Sequence, residues 1–337
     1  MGTPTTSSGM VRTISEWHKI FADQGLDIAV INAISQDTSI LDDMLWMQAN
    51  GMDGHTTTIL NGLPDVYWRR LYKGIPMSKS KISQVRDSMG MLEARSMIDS
   101  KMMDMNKGNK ANYRMSENKA FIEAMRQKLA ATVIYGSVDV NPDGFHGLDP
   151  RYAHKDAPNV VDAGGTAADR CTSMWGIVWG EREVHGIFPK GGQGGLKHQA
   201  LGEQDYFDDE GHAYRGVGDL FTWNAGLSVR DWRCVVRICN IDTTKLELEK
   251  GQTGFVDLHR MTIKAKNLIP AEKRSRLKWY CNQDVMTALE LQASDAGNVR
   301  LTYGDLLKSE PATLLHGCAL HQLDAILSTE APLAAMP

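Results

Sequence analysis

The chain is poor in the features that announce chemistry. Its five cysteines, Cys171, Cys234, Cys239, Cys281 and Cys318, are odd in number and nowhere spaced as CxxC. Neither a disulfide framework nor a structural zinc site is expected; buried thiols are. The ten histidines include no HExxH pair that would bring two imidazoles onto one helical face. No GxSxG nucleophile elbow is present. No run approaches the ~18 consecutive apolar residues of a membrane span. The first nine residues are small and polar, without the charged start and apolar stretch of a secretory signal, and are read as a flexible arm. Neither charge sign dominates: 37 Lys and Arg face 41 Asp and Glu, a net charge of −4. A uniformly basic nucleic-acid binder is therefore not expected.

Linkers and repeats are missing too. The 337 residues suffice for one large domain or two lobes with a sizeable core. Apolar residues make up 42% and charged residues 23%, the balance of an ordinary folded chain. No segment rich in both Pro and Gly divides the chain, so the lobes should be interleaved.

Residues 13–50 read as helical: Ile28, Ile31 and Ile34 recur at helical spacing, and Leu41, Met44 and Leu45 continue the pattern. Thr56–Leu60 has β-propensity, Asn61-Gly62 is a turn signal, and the stretch from Ser80 to Met105 has few breakers. Together, residues 52–106 predict a long two-stranded arm. Such a ribbon buries little surface alone and needs something to lie on. Ser116 is placed as an N-cap, with Phe121, Met125, Leu129 and Val133 as the buried stripe of a helix that stops at Gly136. Ser173–Val178 predicts a buried strand, and Arg182–Ile187 a second strand of the same sheet. Residues 189–226 are glycine-rich and poorly periodic, with a hairpin closed by Asp208–Gly211. Trp232–Ile238 alternates as a half-buried strand, with Arg233 and Arg237 facing outward. A helix over 255–268, a strand at Leu277–Cys281, a helix capped by Asn282 and a last strand with a tail over Gly317–Ile326 complete the reading.

The cluster Gly191-Gly192-Gln193-Gly194-Gly195 is glycine-rich, but a phosphate loop also needs a helix N-terminus and a Gly-Lys-Ser/Thr end, which are absent; a surface loop is expected. The acidic group Asp205, Asp208, Asp209 and Glu210 lacks EF-hand spacing. The run Lys264, Lys266, Lys273, Arg274, Arg276 and Lys278 is the densest in positive charge. Trp68, Arg69, Arg70, Tyr72 and Lys73 mix aromatics with cations, the composition of interface hot spots and also of nucleic-acid stacking platforms. No catalytic, cofactor-binding or metal-binding residue is nominated.

Several segments carry a resemblance when taken in order: Ile40-Leu-Asp-Asp-Met-Leu-Trp46, Gly62-Leu-Pro-Asp-Val-Tyr-Trp-Arg69, Phe121-Ile-Glu-Ala-Met125, His185-Gly-Ile-Phe-Pro-Lys-Gly191, Asp231-Trp-Arg-Cys-Val-Val-Arg-Ile238 and the ending Leu323–Ala331. They resemble the major capsid proteins of tailed bacteriophages, most closely those of short-tailed phages. The resemblance implies an α+β, HK-97-like capsid fold. Residues 1–50 would be the N-terminal arm and helices, and 51–106 the extended β-hairpin loop with the start of the peripheral domain. The peripheral spine helix would occupy 107–147, the axial domain with a return into the peripheral domain 148–275, and the closing strands and tail 276–337. It further implies a shell protein rather than an enzyme, without cofactor, self-assembling as hexamers and pentamers into an icosahedral head around double-stranded DNA. Implied partners are other copies of itself, portal and scaffolding proteins and a decoration or cement protein, with no membrane. The place would be the virion capsid, assembled in the bacterial host cytoplasm. Trp68, Arg69, Arg70, Tyr72 and Lys73 would be inter-subunit contacts. Two alternatives stay open: an encapsulin-like shell, and a nucleotide-binding enzyme using the Gly191–Gly195 loop. The stretch Asp205–Gly216 is more acidic than the resemblance leads one to expect.

Overall fold

A computed structural model describes residues 36–105, 110–192, 194–207, 210–246, 248, 252–295, 301–303 and 313–336. Expectations for residues 1–35, part of the proposed arm over 1–50, lie outside the described residues. A short helix α1 (Ser39–Asp43) and strand β1 (Trp46–Gln48) lead into β2 (Gly54–Gly62) and β3 (Lys81–Asp99). Helices α2 (Ser100–Met105) and α3 (Lys110–Tyr135) follow. Next come β4 (Val160–Asp162), β5 (Cys171–Val178), β6 (Val184–Phe188), β7 (Lys197–Phe207), β8 (Ala213–Val229) and β9 (Val235–Asp242). The chain closes with α4 (Leu258–Leu268), β10 (Leu277–Cys281), α5 (Gln283–Asp295), β11 (Leu301–Tyr303), β12 (Thr313–Leu315) and β13 (Cys318–Gln322).

Two sheets organise these elements. The first has the order β1-β6-β8-β3-β2, with β7 also pairing β8. Its backbone is the 19-residue β3, which changes partner midway: Lys81–Ser88 pairs with β2, and Met89–Asp99 pairs with β8. The two-stranded ribbon is thus shorter than the arm expected over 52–106. The reason is physical: a ribbon that buries little gains stability by continuing into a wider sheet. The 26-residue helix α3 lies on this sheet, with Phe121 stacked on Phe221 at 6.4 Å. Met125, Leu129 and Val133 are buried beneath it as the stripe predicted. The helix begins at Lys110, not at Ser116, because residues 110–115 contain no breaker and Tyr113 is already buried. It ends where expected. A Cβ on Gly136 would lie 2.5 Å from the Phe145 carbonyl, so the returning chain needs glycine there to pack this closely.

The second sheet has the order β11-β12-β13-β10-β5-β9-β4. Both β5 and β9 are buried along their whole length, and Trp175, Trp279, Tyr280 and Met174 fill the core around them. Helix α4 starts at Asp257, whose carboxylate accepts from the Arg260 amide, and α5 is capped by Asn282, which accepts from the Val285 amide at 3.1 Å. All five cysteines are free and buried.

Other expectations are corrected. Strand β6 does not join β5; the turn at Gly180–Glu183 sends it to the first sheet, between β1 and β8, and one bridge, Trp179 to Val184, links the two. The hairpin expected within 189–226 is formed by β7 and β8, whose length the weak periodicity does not reveal. Its glycines act as clearance, since a Cβ on Gly218 would lie 2.0 Å from the Tyr206 hydroxyl. Strand β9 begins at Val235, after a 3-10 turn at Trp232–Cys234, and Arg237 points into the core instead of outward. The described part of 13–50 is a five-residue helix followed by a strand; the last strand expected within 317–326 is β13, with the tail after Gln322.

Candidate assembly surface

Between β2 and β3 the chain runs out over residues 63–80 and back, and every residue from 63 to 82 is exposed. Trp68 is 102% exposed and Tyr72 101%, values that only side chains standing clear of the molecule reach. Leu63, Val66, Leu71 and Met77 are exposed with them. The tip carries its own turn: the Lys73 amide donates to the Arg70 carbonyl at 3.2 Å, Tyr72 takes a positive φ of 66°, and Arg69 Nε donates to the Lys73 carbonyl at 3.2 Å. All five predicted residues, Trp68, Arg69, Arg70, Tyr72 and Lys73, therefore sit together on one small turn. Five cations (Arg69, Arg70, Lys73, Lys79, Lys81) face one anion, Asp65, along residues 63–82. An exposed apolar and basic patch of this kind marks a contact surface.

The root of the hairpin is held as firmly as the tip is free. Asn50 brackets Thr56 with two hydrogen bonds of 2.8 and 2.9 Å, and its amide donates to His55 Nδ1 at 3.2 Å. On β3, the buried Asp87 accepts from Arg151 at 2.8 Å and from the Ser228 hydroxyl at 2.8 Å, tying three segments together. His55 lies 2.8 Å from an Arg230 nitrogen and edge-on to His185 at 6.0 Å. His185 is fully buried, and among the described residues neither ring nitrogen meets a partner in full hydrogen-bond geometry. Burial, then the nearby Arg230 guanidinium, pushes its imidazole down to about 4; the same two causes lower His55.

The body behind the hairpin is locked by a second node. Asp219 on β8 is buried and accepts from Arg114 and Asn118 on α3 and from His198 on β7. Burial alone would raise this carboxyl, but the hydrogen bonds from Arg114, His198 and Asn118 overcome it and hold it at about 2. The sequence carries no signal for these nodes, because the partners lie from 21 to 141 residues apart and no local pattern links them.

The other candidates are absorbed elsewhere. The Gly191–Gly195 loop, with Gln193 outside the described residues, joins β6 to β7; it opens no helix, so the dipole and convergent amides of a phosphate loop are not assembled. Most of the basic run is spent within the subunit. Lys273 meets Asp231 at 3.0 Å, Arg276 meets Glu183 at 2.9 Å, Lys278 binds Asp43, and Lys266 donates to the His316 carbonyl. Asp42 and Asp43 divide as caps and ion pairs do, to Arg126 and to Lys278 respectively. His185 and His198 are taken up by separate neighbours, and His212 lies beside Glu210. Among the described residues no three His, Cys, Asp or Glu side chains converge as a metal site would require, and no helix is long and apolar enough to cross a membrane.

A family model described as "Major capsid protein GP7" matches residues 22–334. No curated protein matches the chain. Among solved structures, a chain of bacteriophage Epsilon15 superposes with a TM-score of 0.76 at 25% identity, covering 99% of this chain and 100% of that one. The capsid of a native GTA particle gives 0.47 at 8% identity, over 68% of this chain and 99% of the other. The SrpI encapsulin from Synechococcus elongatus PCC 7942 also gives 0.47, at 10% identity over 71% and 99%.

Proposed function

The chain belongs to the major capsid protein GP7 family of phage shell proteins, and we propose that its copies close as hexamers and pentamers into the icosahedral head around double-stranded DNA. Its fold is the HK-97-like capsid fold, its place is the virion capsid, and its role is structural rather than enzymatic. It associates with copies of itself. The encapsulin-like alternative and the nucleotide-binding alternative both yield to a family match that spans almost the whole chain.

The observation that carries the proposal is the wholly exposed segment 63–82, with Trp68 and Tyr72 standing free. A subunit that worked alone would leave this apolar surface in water for no return. A subunit in a closed shell covers it, and closure lets individually modest contacts add up. The hairpin therefore acts as the strap between subunits, with Trp68, Arg69, Arg70, Tyr72 and Lys73 as its anchors. The division into an arm (1–50), a hairpin loop (51–106), a spine (107–147), an axial lobe with its return (148–275) and closing strands (276–337) belongs to the same reading. Portal and scaffolding proteins, and a decoration or cement protein, are its further partners; DNA meets the inner face without sequence preference, and assembly takes place in the host cytoplasm.

The test is negative-stain electron microscopy of the purified chain, alone and co-expressed with a scaffolding protein from the same phage. Closed shells, tubes or capsomer rings are expected. Small compact particles under both conditions would sink the assembly proposal. Deletion of residues 64–79 tests the strap: unchanged assembly and shell stability would remove the hairpin from it.

A further inference from the structure

The chain contains two Asn-Gly pairs, Asn50-Gly51 and Asn61-Gly62, and both asparagines are exposed. An asparagine followed by glycine is open to an internal reaction. The glycine backbone nitrogen can attack the side-chain amide carbon, because no Cβ crowds the approach and the glycine backbone turns readily. The sequence treats the two pairs alike; the fold separates them.

Asn50 is locked. Its side-chain nitrogen donates to the Thr56 carbonyl at 2.8 Å, and its side-chain oxygen accepts from the Thr56 amide at 2.9 Å. The Gly51 amide is itself engaged, donating to the Gly54 carbonyl at 3.2 Å. A Cβ on Gly51 would come 2.8 Å from that same carbonyl oxygen, so packing accounts for the glycine. Asn61 differs on each count. Among the described residues its one side-chain hydrogen bond is donated to the Ser83 hydroxyl at 2.7 Å, a single tether. Leu60 pairs with Ile82 and Gly62 with Lys81, so Asn61 is the extra residue of a bulge. The ladder does not hold its backbone as it holds a paired residue. Space does not demand glycine at 62 either: a Cβ there would meet nothing nearer than the Lys81 side chain, at 3.4 Å. Nor does the pair form the hairpin turn its composition suggests, since the chain runs on through residues 63–80 before β3 begins.

We propose that Asn61-Gly62 is a self-modifying site that deamidates in the folded chain, whereas hydrogen bonding protects Asn50-Gly51. The Gly62 backbone nitrogen gives its proton to solvent hydroxide and attacks Asn61 Cγ. The N–Cγ bond forms, the Cγ–Nδ2 bond breaks, and Nδ2 leaves as ammonia, taking a proton from water. Water then adds to either carbonyl carbon of the cyclic imide and opens it. One opening gives aspartate; the other gives isoaspartate, whose backbone runs through the former side chain. In sum an amide and water become a carboxylic acid and ammonia, and nothing is oxidised or reduced. The product places a carboxylate at the root of a hairpin whose tip is basic, and isoaspartate also lengthens the β2 backbone. The reaction needs no partner, so it stands apart from the reading of the tip as an anchor.

The test holds the purified full-length chain folded in mildly alkaline buffer, with a second sample in urea. Both are sampled over time, digested in mild acid and read by mass spectrometry after chromatographic separation of aspartate from isoaspartate. In the folded chain Asn61 is expected to convert more than about tenfold faster than Asn50, because the two hydrogen bonds of Asn50 must open first. In urea the two rates should converge. Gly62→Ala, which the space at 62 admits, is expected to slow conversion at Asn61 severalfold and leave Asn50 unchanged. Equal rates at the two pairs in the folded chain would overturn the proposal, as would an Asn61 that converts in urea but stays intact when folded. A Gly62→Ala chain that converts at the unmodified rate would also overturn it, because the attack would then not come from Gly62.

Discussion

Arg237 and Glu330 meet at 3.1 Å inside the seven-stranded sheet, 93 residues apart in sequence and only 1% and 9% exposed. The guanidinium also lies 2.7 Å from Asp149, donates to the Ser173 hydroxyl and the Tyr152 carbonyl, and sits 4.7 Å above the Trp175 ring. Glu330 in turn exchanges two backbone hydrogen bonds with Cys171 and accepts from Tyr135. A charge taken from water is thus satisfied on every side, and the C-terminal tail is clasped to the core by it.

Removing one partner leaves the other buried and unpaired. Glu330→Ala is expected to destabilise the subunit by about 3 to 5 kcal/mol, measured by urea unfolding of dissociated subunits. A loss below about 1 kcal/mol, inside the range of exposed pairs, would mean that Asp149 alone satisfies Arg237.

The hairpin root makes stability pH-dependent. His185 titrates at about 4 when folded, against the ordinary 6.5, and His55 is lowered as well. The unfolded chain therefore binds protons first, so this contribution is complete above about pH 6.5 and is lost progressively down to about pH 4. Asp87 opposes the effect and Arg230 reinforces it. Melting temperature against pH should fall through this window, and His185→Leu should make that fall shallower. An unchanged slope in the variant would assign the acid sensitivity elsewhere.

Gly176 lies in β5 where a Cβ would come 2.7 Å from both Trp279 and Val236 side-chain atoms. Both neighbours are fully buried and have little room to move. Gly176→Ala is expected to cost about 1 to 3 kcal/mol by overpacking, visible as a lower melting temperature with assembly geometry unchanged.

Trp68 separates subunit stability from assembly. Because its side chain is fully exposed, Trp68→Ala should change subunit stability by less than about 0.5 kcal/mol while lowering shell yield. The fluorescence difference between the unmodified chain and the variant should shift to the blue on assembly, as the indole leaves water. A difference spectrum that stays red in intact shells would place Trp68 outside the interface.

Much of this architecture is legible along the chain because its causes are local. The buried stripe at Met125, Leu129 and Val133, the stop at Gly136, the cap at Asn282 and strand Leu277–Cys281 each follow from spacing or backbone chemistry within a few residues. The five tip residues are found together for the same reason: they are consecutive or nearly so, and a single turn keeps them so. The hairpin of β7 and β8 is legible from its turn residues, but the length of its strands is not, because Gly216 and Gly218 look like breakers; only the ring of Tyr206 lying against them explains why they are glycine. Arg237 misleads because alternation marks every second residue as outward, whereas a strand covered on both faces has no outward side.

By itself the sequence determined the family motifs, the helix stripe and the bare aromatic and basic tip, since each depends on residues close enough to shape one another directly. Tertiary structure alone decided which sheet β6 joins, how β3 exchanges β2 for β8, and how Asp87, Asp219 and Arg237 find their partners. Those outcomes depend on which distant groups can share a buried hydrogen bond once water is excluded, and periodicity carries no record of that.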